Sequence, residues 1–389
     1  MSPLLQYIYS HISHFFIIVV GDDEGGYSSE YKAISAPFSS SLRGNFSFAV
    51  FADLGLHNGE SATAFVKNMV DDGAKLVWHG GDISYADDAF LHKGCATKFC
   101  YEEVWDNYMQ SIETWASRVP YMVAPGNHEA ECHSPACLAS KERKEKLSNF
   151  TAYNTRFRMP SEESKASALN MHFSFNYGPV HFISIDTETG YPGAAEETKY
   201  VLPCGGFSDQ LSWLEQDLIE ANANRAQRPW IFVQGHHPMY QGRSINEGFA
   251  ASMEQLFYDY GVDIYFSGHV HSYERDYPVY QGIPEFSYDN PRATTYIMVG
   301  GAGNDEMRNL EVEDPSPKEG TRPGSWSRSD RTGPWTAVTD ENHLGVGRVD
   351  IIDESTLKFQ YFRTTTGEMF DSVVLKRDHS GYTKKFSRI

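Results

Sequence analysis

The chain has 389 residues, of which 40% are hydrophobic and 22% are charged, a composition that excludes a disordered or low-complexity protein. Its 52 acidic and 33 basic residues give a net charge of −19, which disfavours binding to nucleic acid or anionic membranes. No apolar run approaches the roughly 20 residues of a membrane span. The best candidate, residues 15–20, is interpreted as a buried strand rather than a signal peptide, because residues 1–14 contain no Lys or Arg.

From residue 46 onward, apolar runs end abruptly in short loops that contain Gly, Asp, Asn or His. These predicted strands are 46–51, 75–78, 119–124, 230–233 and 262–266. Predicted helices lie between them, at 60–70, 101–117, 207–221 and 249–260. The alternation predicts a layered α/β domain, in which ligands bind where loops leave the carboxyl ends of strands. Further strands at 294–299, 347–352, 357–362 and 369–375 predict a second, more antiparallel sheet, and residues 304–342 are predicted to form a long surface loop.

The five loops after the first set of strands contain side chains that can bind metal ions. Taken singly, each motif is also typical of a helix cap, a turn or a packed side chain. We expect one sheet to bring all five together, and His269 and His271, two residues apart, then face the same side. Two neighbouring metals can clamp the attacking and leaving oxygens of a phosphoryl displacement. The candidate residues are Asp53, Asp82, Tyr85, Asn127, His128, His236, His269 and His271.

These loops resemble the motifs of the purple acid phosphatases, which are dinuclear calcineurin-like metallophosphoesterases. Gly81-Asp82-x-x-Tyr85 is the discriminating element, because Ser/Thr phosphatases of the wider superfamily carry Asp-Arg-Gly after the corresponding Asp. The resemblance covers roughly residues 44–378 and implies an α/β fold with a layered β-sandwich flanked by helices. The other matching motifs, in family order, are Asp53-Leu54-Gly55, Gly126-Asn127-His128-Glu129, His236-x-Pro and Gly268-His269-Val270-His271-Ser272-Tyr273-Glu274-Arg275.

The resemblance also implies a ligand set and a reaction. Fe(III) would be bound by Asp53, Asp82, Tyr85 and His271. A divalent ion (Fe, Zn or Mn) would be bound by Asp82, Asn127, His236 and His269, so that Asp82 bridges the two ions. Phenolate and carboxylate suit Fe(III), and imidazole suits a divalent ion. The implied activity is acid phosphatase hydrolysis of small phosphate monoesters by in-line attack of a metal-bound hydroxide, with His128 either contacting the phosphoryl oxygens or orienting ligands.

The sequence departs from the family pattern in the region that serves the leaving group. Plant members have two His residues shortly after the His-x-Pro motif, whereas residues 241–248 contain none. His237 and Glu247 are therefore candidates for the general acid, and Arg243 could pair with the substrate phosphate. The alternative is that these are solvent-exposed loop residues. Ala52 replaces a usual Gly, and His57 is predicted to be a surface residue.

Two other functions remain open from the sequence. The first is a dinuclear phosphodiesterase or nucleotide pyrophosphatase, whose ligand set overlaps with that of a monoesterase. The second is a non-catalytic descendant that binds metal or phosphate for structural reasons. The seven filled ligand positions favour an enzyme over a non-catalytic descendant. The rates on monoester and diester substrates would distinguish a monoesterase from a diesterase.

The predicted domains are a remnant of an N-terminal fibronectin-like β domain (1–40), a catalytic domain (41–380) and a tail (381–389). Cys95 and Cys100, and likewise Cys132 and Cys137, share a C-x4-C spacing, which suits either local disulfides or free thiols, and Cys204 is left over. Glycosylation acceptor patterns begin at Asn45 and Asn149. The family resemblance implies a secreted or endolysosomal or vacuolar location. The oligomeric state is not predicted.

Overall fold

Two mixed β-sheets that face each other form the centre of the molecule. The structure is a computed structural model, and it describes residues 15–18, 21–22, 26–27, 30–34, 46–92, 94–95, 98–130, 134–192, 194, 207–307 and 332–381. Sheet I has the strand order Met369–Lys376, Thr356–Arg363, Gly345–Ile351, Phe46–Phe51, Val77–His79, Tyr121–Val123. Sheet II has the order Phe173–Tyr177, Val180–Ser184, Trp230–Gln234, Ile264–Ser267, Thr295–Val299, Tyr273–Asp276, Thr336–Asp340.

Each sheet has a parallel part and an antiparallel part. In sheet I, Phe46–Phe51 pairs in parallel with Val77–His79 and antiparallel with Gly345–Ile351. In sheet II, Val180–Ser184 pairs in parallel with Trp230–Gln234, and parallel pairing continues to Thr295–Val299. The carboxyl ends of the parallel strands therefore lie along one edge of each sheet, where polar side chains can meet.

The core between the sheets is aromatic. Along the strand Phe46–Phe51, Phe46, Phe48 and Val50 pack between the sheets, while Ala49 and Phe51 pack against the helical layer. Because both faces are covered, this strand has no polar alternation apart from Ser47. Phe48 and Trp78 of sheet I meet Phe182 of sheet II at ring-centroid distances of 5.1 and 4.9 Å.

Helices cover the outer faces of both sheets. Helices Glu60–Asp71 and Tyr101–Ala116 contribute buried residues such as Val66, Tyr108 and Trp115 to the core cluster that contains Ala49 and Phe51. Helix Gln210–Ala223 is capped at its amino end by Asp209, whose side chain accepts the amide N–H of Ser212 at 3.1 Å. The remaining helical segments are Ala86–Leu91, Asn127–Glu129, Pro135–Leu138, Lys141–Leu147, Thr151–Arg156, Glu247–Phe249, Ala250–Glu254, Gln255–Tyr260 and Asp305–Met307.

Five small two-stranded sheets complete the described strands. Leu54–Gly55 pairs in parallel with Ile83–Ser84 at the edge where the candidate ligands lie. The other four pairs are antiparallel: Phe15–Ile18 with Tyr31–Ile34, Gly21–Asp22 with Gly26–Tyr27, Tyr240–Gln241 with Ser244–Ile245, and Val279–Tyr280 with Ile283–Pro284. In the parts of the chain that the structure describes, no helix combines the length and apolar character needed to cross a bilayer.

The layered β-sandwich with flanking helices is confirmed, but two details of the predicted arrangement are wrong. The strands Gly345–Ile351, Thr356–Arg363 and Met369–Lys376 do not form a separate sheet, because they extend sheet I from the edge of Phe46–Phe51 opposite Val77–His79. The predicted loop 304–342 contains an edge strand of sheet II, Thr336–Asp340, while residues 308–331 lie outside the described part. The predicted helix 249–260 has a π-helical segment at Ala250–Glu254.

The cysteine alternatives are resolved for one pair, and the domain boundaries stay predictions. Cys95 and Cys100 form a disulfide with a Cα–Cα distance of 5.7 Å. Cys137 is also disulfide-bonded, whereas Cys132 and Cys204 lie outside the described residues. Residues 15–34 contain the short strands expected of the N-terminal segment, but their origin in a larger β domain remains untested.

Candidate metal centre

The predicted ligands meet at the edge where the parallel strands of both sheets end. Asp53, Asp82 and Asn127 follow strands of sheet I, whereas His236 and the pair His269 and His271 follow strands of sheet II. The expectation that a single sheet brings the loops together is therefore wrong. Because the two sheets face each other, their loops supply opposite walls of one cleft, and Tyr85 enters it from the turn after Ile83–Ser84.

Four of the seven predicted metal ligands have a left-handed backbone conformation. The φ angles are +62° for Asp53, +56° for Asp82, +55° for Tyr85 and +66° for His269. Non-glycine residues rarely adopt such angles, which cost on the order of 1–3 kcal/mol each and persist where the surrounding structure imposes them. Their concentration in one cluster indicates that the loops are held for the position of their side chains.

Two glycines allow the backbone to approach the ligand carboxylates closely. A Cβ atom on Gly126 would lie 2.3 Å from Asp82 Oδ1, and one on Gly268 would lie 2.3 Å from Asp53 Oδ2. Both distances are far below van der Waals contact, so any other residue would displace a carboxylate. The sequence pattern Gly-Asn-His-Glu thus has a steric reason at its first position.

One half of the cluster surrounds the phenol of Tyr85. Its Oη lies 3.1 Å from Asp53 Oδ1, 2.9 Å from His271 Nε2 and 3.3 Å from Asp82 Oδ2. His271 Nε2 lies 3.4 Å from Asp53 Oδ1. Carboxylate, phenol and imidazole donor atoms therefore converge on a small volume, and Asp53, Asp82 and His271 are close enough to share one ion.

The other half surrounds the amide of Asn127. Its Oδ1 lies 3.0 Å from both His236 Nε2 and His269 Nδ1. His236 Nε2 also lies 3.0 Å from Asp82 Oδ2, the same oxygen that approaches Tyr85. Asp82 Oδ2 is therefore the atom common to both halves of the cluster.

Surrounding groups fix the orientation of these side chains. The Nδ1 atom of His236 lies 3.0 Å from the carbonyl oxygen of Gly80, which can only accept, so Nδ1–H donates and Nε2 faces the cluster. The carboxylate of Glu129 accepts the amide N–H groups of Asp82, Ile83 and Gly126 at 2.8–3.0 Å. It thereby joins two of the ligand loops of sheet I.

The ligand set is deeply buried, and within the described residues its positive charge comes from histidine rather than from lysine or arginine. Asp53, Asp82, Tyr85 and His236 are at most 1% exposed, while the side chain of His271 is 19% exposed at the open side. No lysine or arginine of the described ranges hydrogen-bonds to any of the seven ligands. Buried carboxylates normally require a paired cation or a metal, so the residues present fit a metal site.

The pKa shifts within the cluster follow from its burial and from the charges that its members place next to one another. Burial alone would raise the pKa of Asp82, but His236 and His128 hold it well below its usual range. Burial disfavours a charged His236, yet Asp82 outweighs it and raises the pKa of His236 to about 10. Burial and the neighbouring His237 and His236 lower the pKa of His269 to about 2, while burial and Asp53 raise that of Tyr85 well above its normal value.

His128 lies beside the ligands with its ring oriented by a carboxylate. Its Nδ1 lies 2.8 Å from Asp87 Oδ2, so Nδ1–H donates to the carboxylate. Its Nε2 then faces the cluster, 4.0 Å from Asp82 Oδ2, and its ring centroid is 4.1 Å from that of Tyr85. This geometry places a nitrogen toward the centre without making His128 one of the seven ligands.

The two general-acid candidates differ in position. His237 is buried against His269, with ring centroids 4.0 Å apart, and its Nε2 lies 3.2 Å from Glu188 Oε2. Glu247 is exposed and lines a separate cavity of about 420 Å³ with Tyr240 and Glu254. No predicted metal ligand lines that cavity, so the structure brings His237, but not Glu247, to the ligand cluster.

Arg243 and His57, two other residues considered in the sequence, lie outside the ligand cluster. Arg243 is exposed, and its Nε donates to the carbonyl oxygen of Thr332 at 3.3 Å. His57 is half-buried rather than on the open surface, and its ring lies 3.7 Å from that of His92. His92 in turn lies 2.8 Å from Asp305, so this group belongs to the wall near the cluster.

Sequence reasoning missed two further strand ends that contribute to the site. Thr187, after Val180–Ser184, accepts the amide N–H groups of His236 and His237 at 3.0 and 2.9 Å. Asn304, after Thr295–Val299, donates to the carbonyl oxygen of Asp53 at 3.2 Å. Both residues follow apolar strands, as the predicted ligands do, and this shared position is the signal in the sequence that could have identified them.

Comparisons with known proteins agree with this geometry. Residues 46–273 match the family model described as calcineurin-like phosphoesterase, and residues 293–372 match that described as iron/zinc purple acid phosphatase-like protein C. The chain is 30% identical to acid phosphatase type 7 of Danio rerio, over 86% of this chain and 69% of that protein. It is 27% identical to an acid phosphatase of Aspergillus ficuum, over 88% and 70% of the two chains.

A solved structure supports the fold. A purple acid phosphatase from seeds of yellow lupin (Lupinus luteus) superposes with a TM-score of 0.67 at 21% identity, covering 97% of this chain and 62% of that chain. The likeness in fold agrees with the family matches, which span both the ligand loops and the C-terminal strands. The chain therefore belongs to the purple acid phosphatases within the calcineurin-like phosphoesterase family, and it is a metal-dependent phosphoesterase of the acid phosphatase type.

Proposed function

We propose that the chain hydrolyses small phosphate monoesters at acidic pH with Fe(III) and one divalent ion, either Fe, Zn or Mn. The observation that carries the proposal is the position of Asp82 Oδ2, which lies 3.3 Å from Tyr85 Oη and 3.0 Å from His236 Nε2. One carboxylate oxygen thus belongs to a phenol-containing group and to an imidazole-containing group. Such a shared oxygen is what a two-metal centre requires.

The two groups differ in their donor atoms, and each set matches the preference of one of the two proposed ions. Asp53, Asp82, Tyr85 and His271 offer mainly hard oxygens, which suit Fe(III), while Asp82, Asn127, His236 and His269 include two imidazoles, which suit a divalent ion. When bound, two such ions lower the pKa of water and neutralise charge on phosphoryl oxygens. The chain's own part is to hold these donor atoms 3.0–3.4 Å from one another.

His236 holds a proton at the position where the divalent ion would bind. Asp82 raises the pKa of His236 to about 10, so His236 is protonated across the acidic and neutral range in the absence of metal. A metal ligand must be a neutral imidazole, so His236 would have to lose this proton in order to hold the divalent ion. Metal affinity is therefore expected to rise with increasing pH, as the competing proton becomes easier to remove.

His128 is proposed to contact the phosphoryl group. Asp87 accepts its Nδ1–H and fixes the tautomer, so that Nε2 is the atom available toward the cleft. His237 is proposed as the general acid in preference to Glu247, because it packs on His269 while Glu247 lines another cavity. Glu188, 3.2 Å from His237 Nε2, would then hold the ring in place.

A secreted or endolysosomal or vacuolar location is proposed, with glycosylation. The Cys95–Cys100 disulfide is typical of oxidising compartments. Asn149 of the acceptor pattern Asn149-Phe150-Thr151 is exposed in a turn, where an enzyme could reach it, whereas Asn45 lies outside the described residues. Mass spectrometry of the protein from its native source would identify a glycan on Asn149.

The decisive experiment compares an aryl phosphate monoester with a bis-aryl phosphate diester from about pH 4 to pH 8, with iron and zinc supplied. We expect metal-dependent monoester hydrolysis with an acidic optimum, and visible absorption that Tyr85→Phe abolishes. Faster hydrolysis of the diester would instead favour the phosphodiesterase alternative. Absence of both reactions in folded, metal-loaded protein would favour a non-catalytic descendant.

A further inference from the structure

A short hairpin borders the wall of the site that contains His236 and His237. Its strands, Tyr240–Gln241 and Ser244–Ile245, begin two residues after Pro238. Asn246, directly after the hairpin, donates its amide N–H to the carbonyl oxygen of Met239 at 2.9 Å. We call residues 240–245 the border hairpin. Because the chain returns to Met239, movement of this hairpin would be transmitted to the wall beside His237.

The tip of the border hairpin is anchored to sheet II by a buried glutamate. Both carboxylate oxygens of Glu274 lie 3.0 Å from the amide nitrogen of Gly242, which donates to them. The hydroxyl of Thr336, on the edge strand, donates to Glu274 Oε1 at 2.7 Å. Glu274 is 7% exposed, so these contacts are shielded from water and the anchor is a specific one.

A second buried carboxyl group lies beside this anchor. Asp276 is two residues further along the same strand, so its side chain leaves the same face of sheet II. It is 2% exposed, it interacts directly with Glu274, and its Oδ1 has no hydrogen-bond partner among the described residues. Two adjacent buried carboxyl groups cannot both be ionised without strong repulsion, so one of them retains a proton.

Among the described residues, the cations near this pair are committed to other partners. Arg275 lies between the two acids in sequence, but it faces sheet I, where its Nε and Nη2 donate to Asp371 at 2.6 and 3.0 Å. Arg243 of the border hairpin is exposed and donates to Thr332. In the part of the chain that the structure describes, the other titratable groups around the pair are acidic or neutral: Glu254, Tyr240, Tyr288 and Tyr296.

We propose that Asp276 is a positioning residue, which donates a proton to Glu274 and so keeps the border hairpin attached to sheet II in acid, and which releases the hairpin when that proton is lost. Burial and the charge of Glu274 raise the pKa of Asp276 well above its usual range, in agreement with this geometry. A carboxyl group whose native pKa is raised binds its proton more tightly in the folded state. Its contribution to stability is therefore present in acid and is lost as pH rises through the native pKa.

The test compares wild-type holoenzyme with Asp276→Asn, whose amide can donate to Glu274 at every pH, and with Glu354→Gln, an exposed carboxyl group in a turn, as a control. Limited trypsin digestion reports on the hairpin through cleavage of the Arg243–Ser244 bond. Urea unfolding reports on the proton, because the stability of the wild type should fall more steeply with pH than that of Asp276→Asn. The kinetic readout, the KM for an aryl phosphate, rests on the proposed function.

Between pH 5 and pH 8, we expect both the rate of cleavage after Arg243 and the KM to rise in the wild type and in Glu354→Gln. In Asp276→Asn, the rise in KM should be smaller by about threefold or more. Glu274→Gln, which also removes one charge, replaces Asp276→Asn if the latter does not fold. Equal pH dependence of cleavage and unfolding in the variant and the control would overturn the proposal. If no protein hydrolyses the ester, the proposed function fails, while cleavage and unfolding still decide the role of Asp276.

Discussion

The strand Ile264–Ser267 has a buried charged cluster at each end, and the two clusters are compensated in opposite ways. At the amino end, Asp263 is fully buried and lies 2.9 Å from Arg225 Nη1, 3.3 Å from Arg377 Nε and 3.1 Å from His379 Nε2. At the carboxyl end lie the candidate metal ligands, which face one another. Two arginines supply positive charge in the first case, whereas the carboxylates in the second face histidines that are themselves candidate ligands.

The difference separates a structural cluster from a functional one. Asp263 also accepts the amide N–H of Ile231 at 2.8 Å, so its oxygens are satisfied by groups from three parts of the chain. This ties the C-terminal segment to sheet II. Within the described ranges Asp53 and Asp82 face no arginine or lysine; their partners are His271 and His236, which must be neutral to bind a metal ion. Holding two buried carboxylates beside neutral imidazoles is costly unless an ion binds. Charge compensation therefore predicts which cluster responds to metal.

The largest expected effect comes from Asp82→Asn, which removes the charge of the oxygen shared by both halves of the cluster. We expect kcat/KM for an aryl phosphate to fall by about 10⁴-fold or more, as when one member of a catalytic unit is lost. Metal analysis should show less bound ion per chain. The variant should remain folded, since it relieves a buried charge. Retention of full activity would contradict both the bridging role and the comparison.

The matched change at the other end, Asp263→Asn, should affect stability and leave chemistry intact. It leaves Arg225 and Arg377 buried without their anion, and breaking a buried pair in this way costs about 3–5 kcal/mol. Chemical denaturation measures this loss, while kcat/KM of the remaining folded enzyme and its metal content should be unchanged. A variant that loses metal but not stability would contradict the assignment of this cluster as structural.

The pH dependence of the Asp263 cluster has a defined sign. Burial alone would raise the pKa of Asp263, but His379, Arg225 and Arg377 lower it well below its usual range. A lowered native pKa means that this contribution is fully present above the unfolded pKa of about 3.9 and is lost only as pH falls through the native value. The cluster is thus suited to acidic conditions, and Asp263→Asn should lose most of its disadvantage only in strong acid.

Much of the site could be predicted because metal binding concentrates unusual residues at strand ends. Asp82, Tyr85 and Asn127 follow apolar runs whose length and composition mark them as buried strands, and the structure brings all three together. What the sequence did not reveal was that two sheets contribute. A strand such as Phe46–Phe51, covered on both faces, gives the same pattern whether it faces a helix layer or another sheet.

The missed residues act through their neighbours, and this explains why motifs did not reveal them. Thr187 and Asn304 accept or donate hydrogen bonds that fix the backbone of His236 and Asp53, and Asn304 Nδ2 also lies 3.4 Å from His271 Nε2. Such residues can be recognised only when the loops of different strands are placed side by side. The same holds for Asp276, whose partner Glu274 lies in the family motif.

The smallest effect is expected where an acid is compensated by the backbone alone. Glu129 is buried, and it accepts three amide N–H groups from the loops of Asp82 and Asn127. In Glu129→Gln, one oxygen is replaced by an NH₂ group that must face an N–H donor, so the loops should separate slightly. We expect metal affinity to fall by about 10–100-fold, as for other groups that orient metal ligands.

Titration of metal-depleted protein with zinc measures this loss of affinity, with Glu354→Gln as the control. Because Glu129 has neither the cations of Asp263 nor the ligand position of Asp82, a loss equal to that of Asp82→Asn would mean that charge at this edge, rather than contact with the ion, governs metal binding.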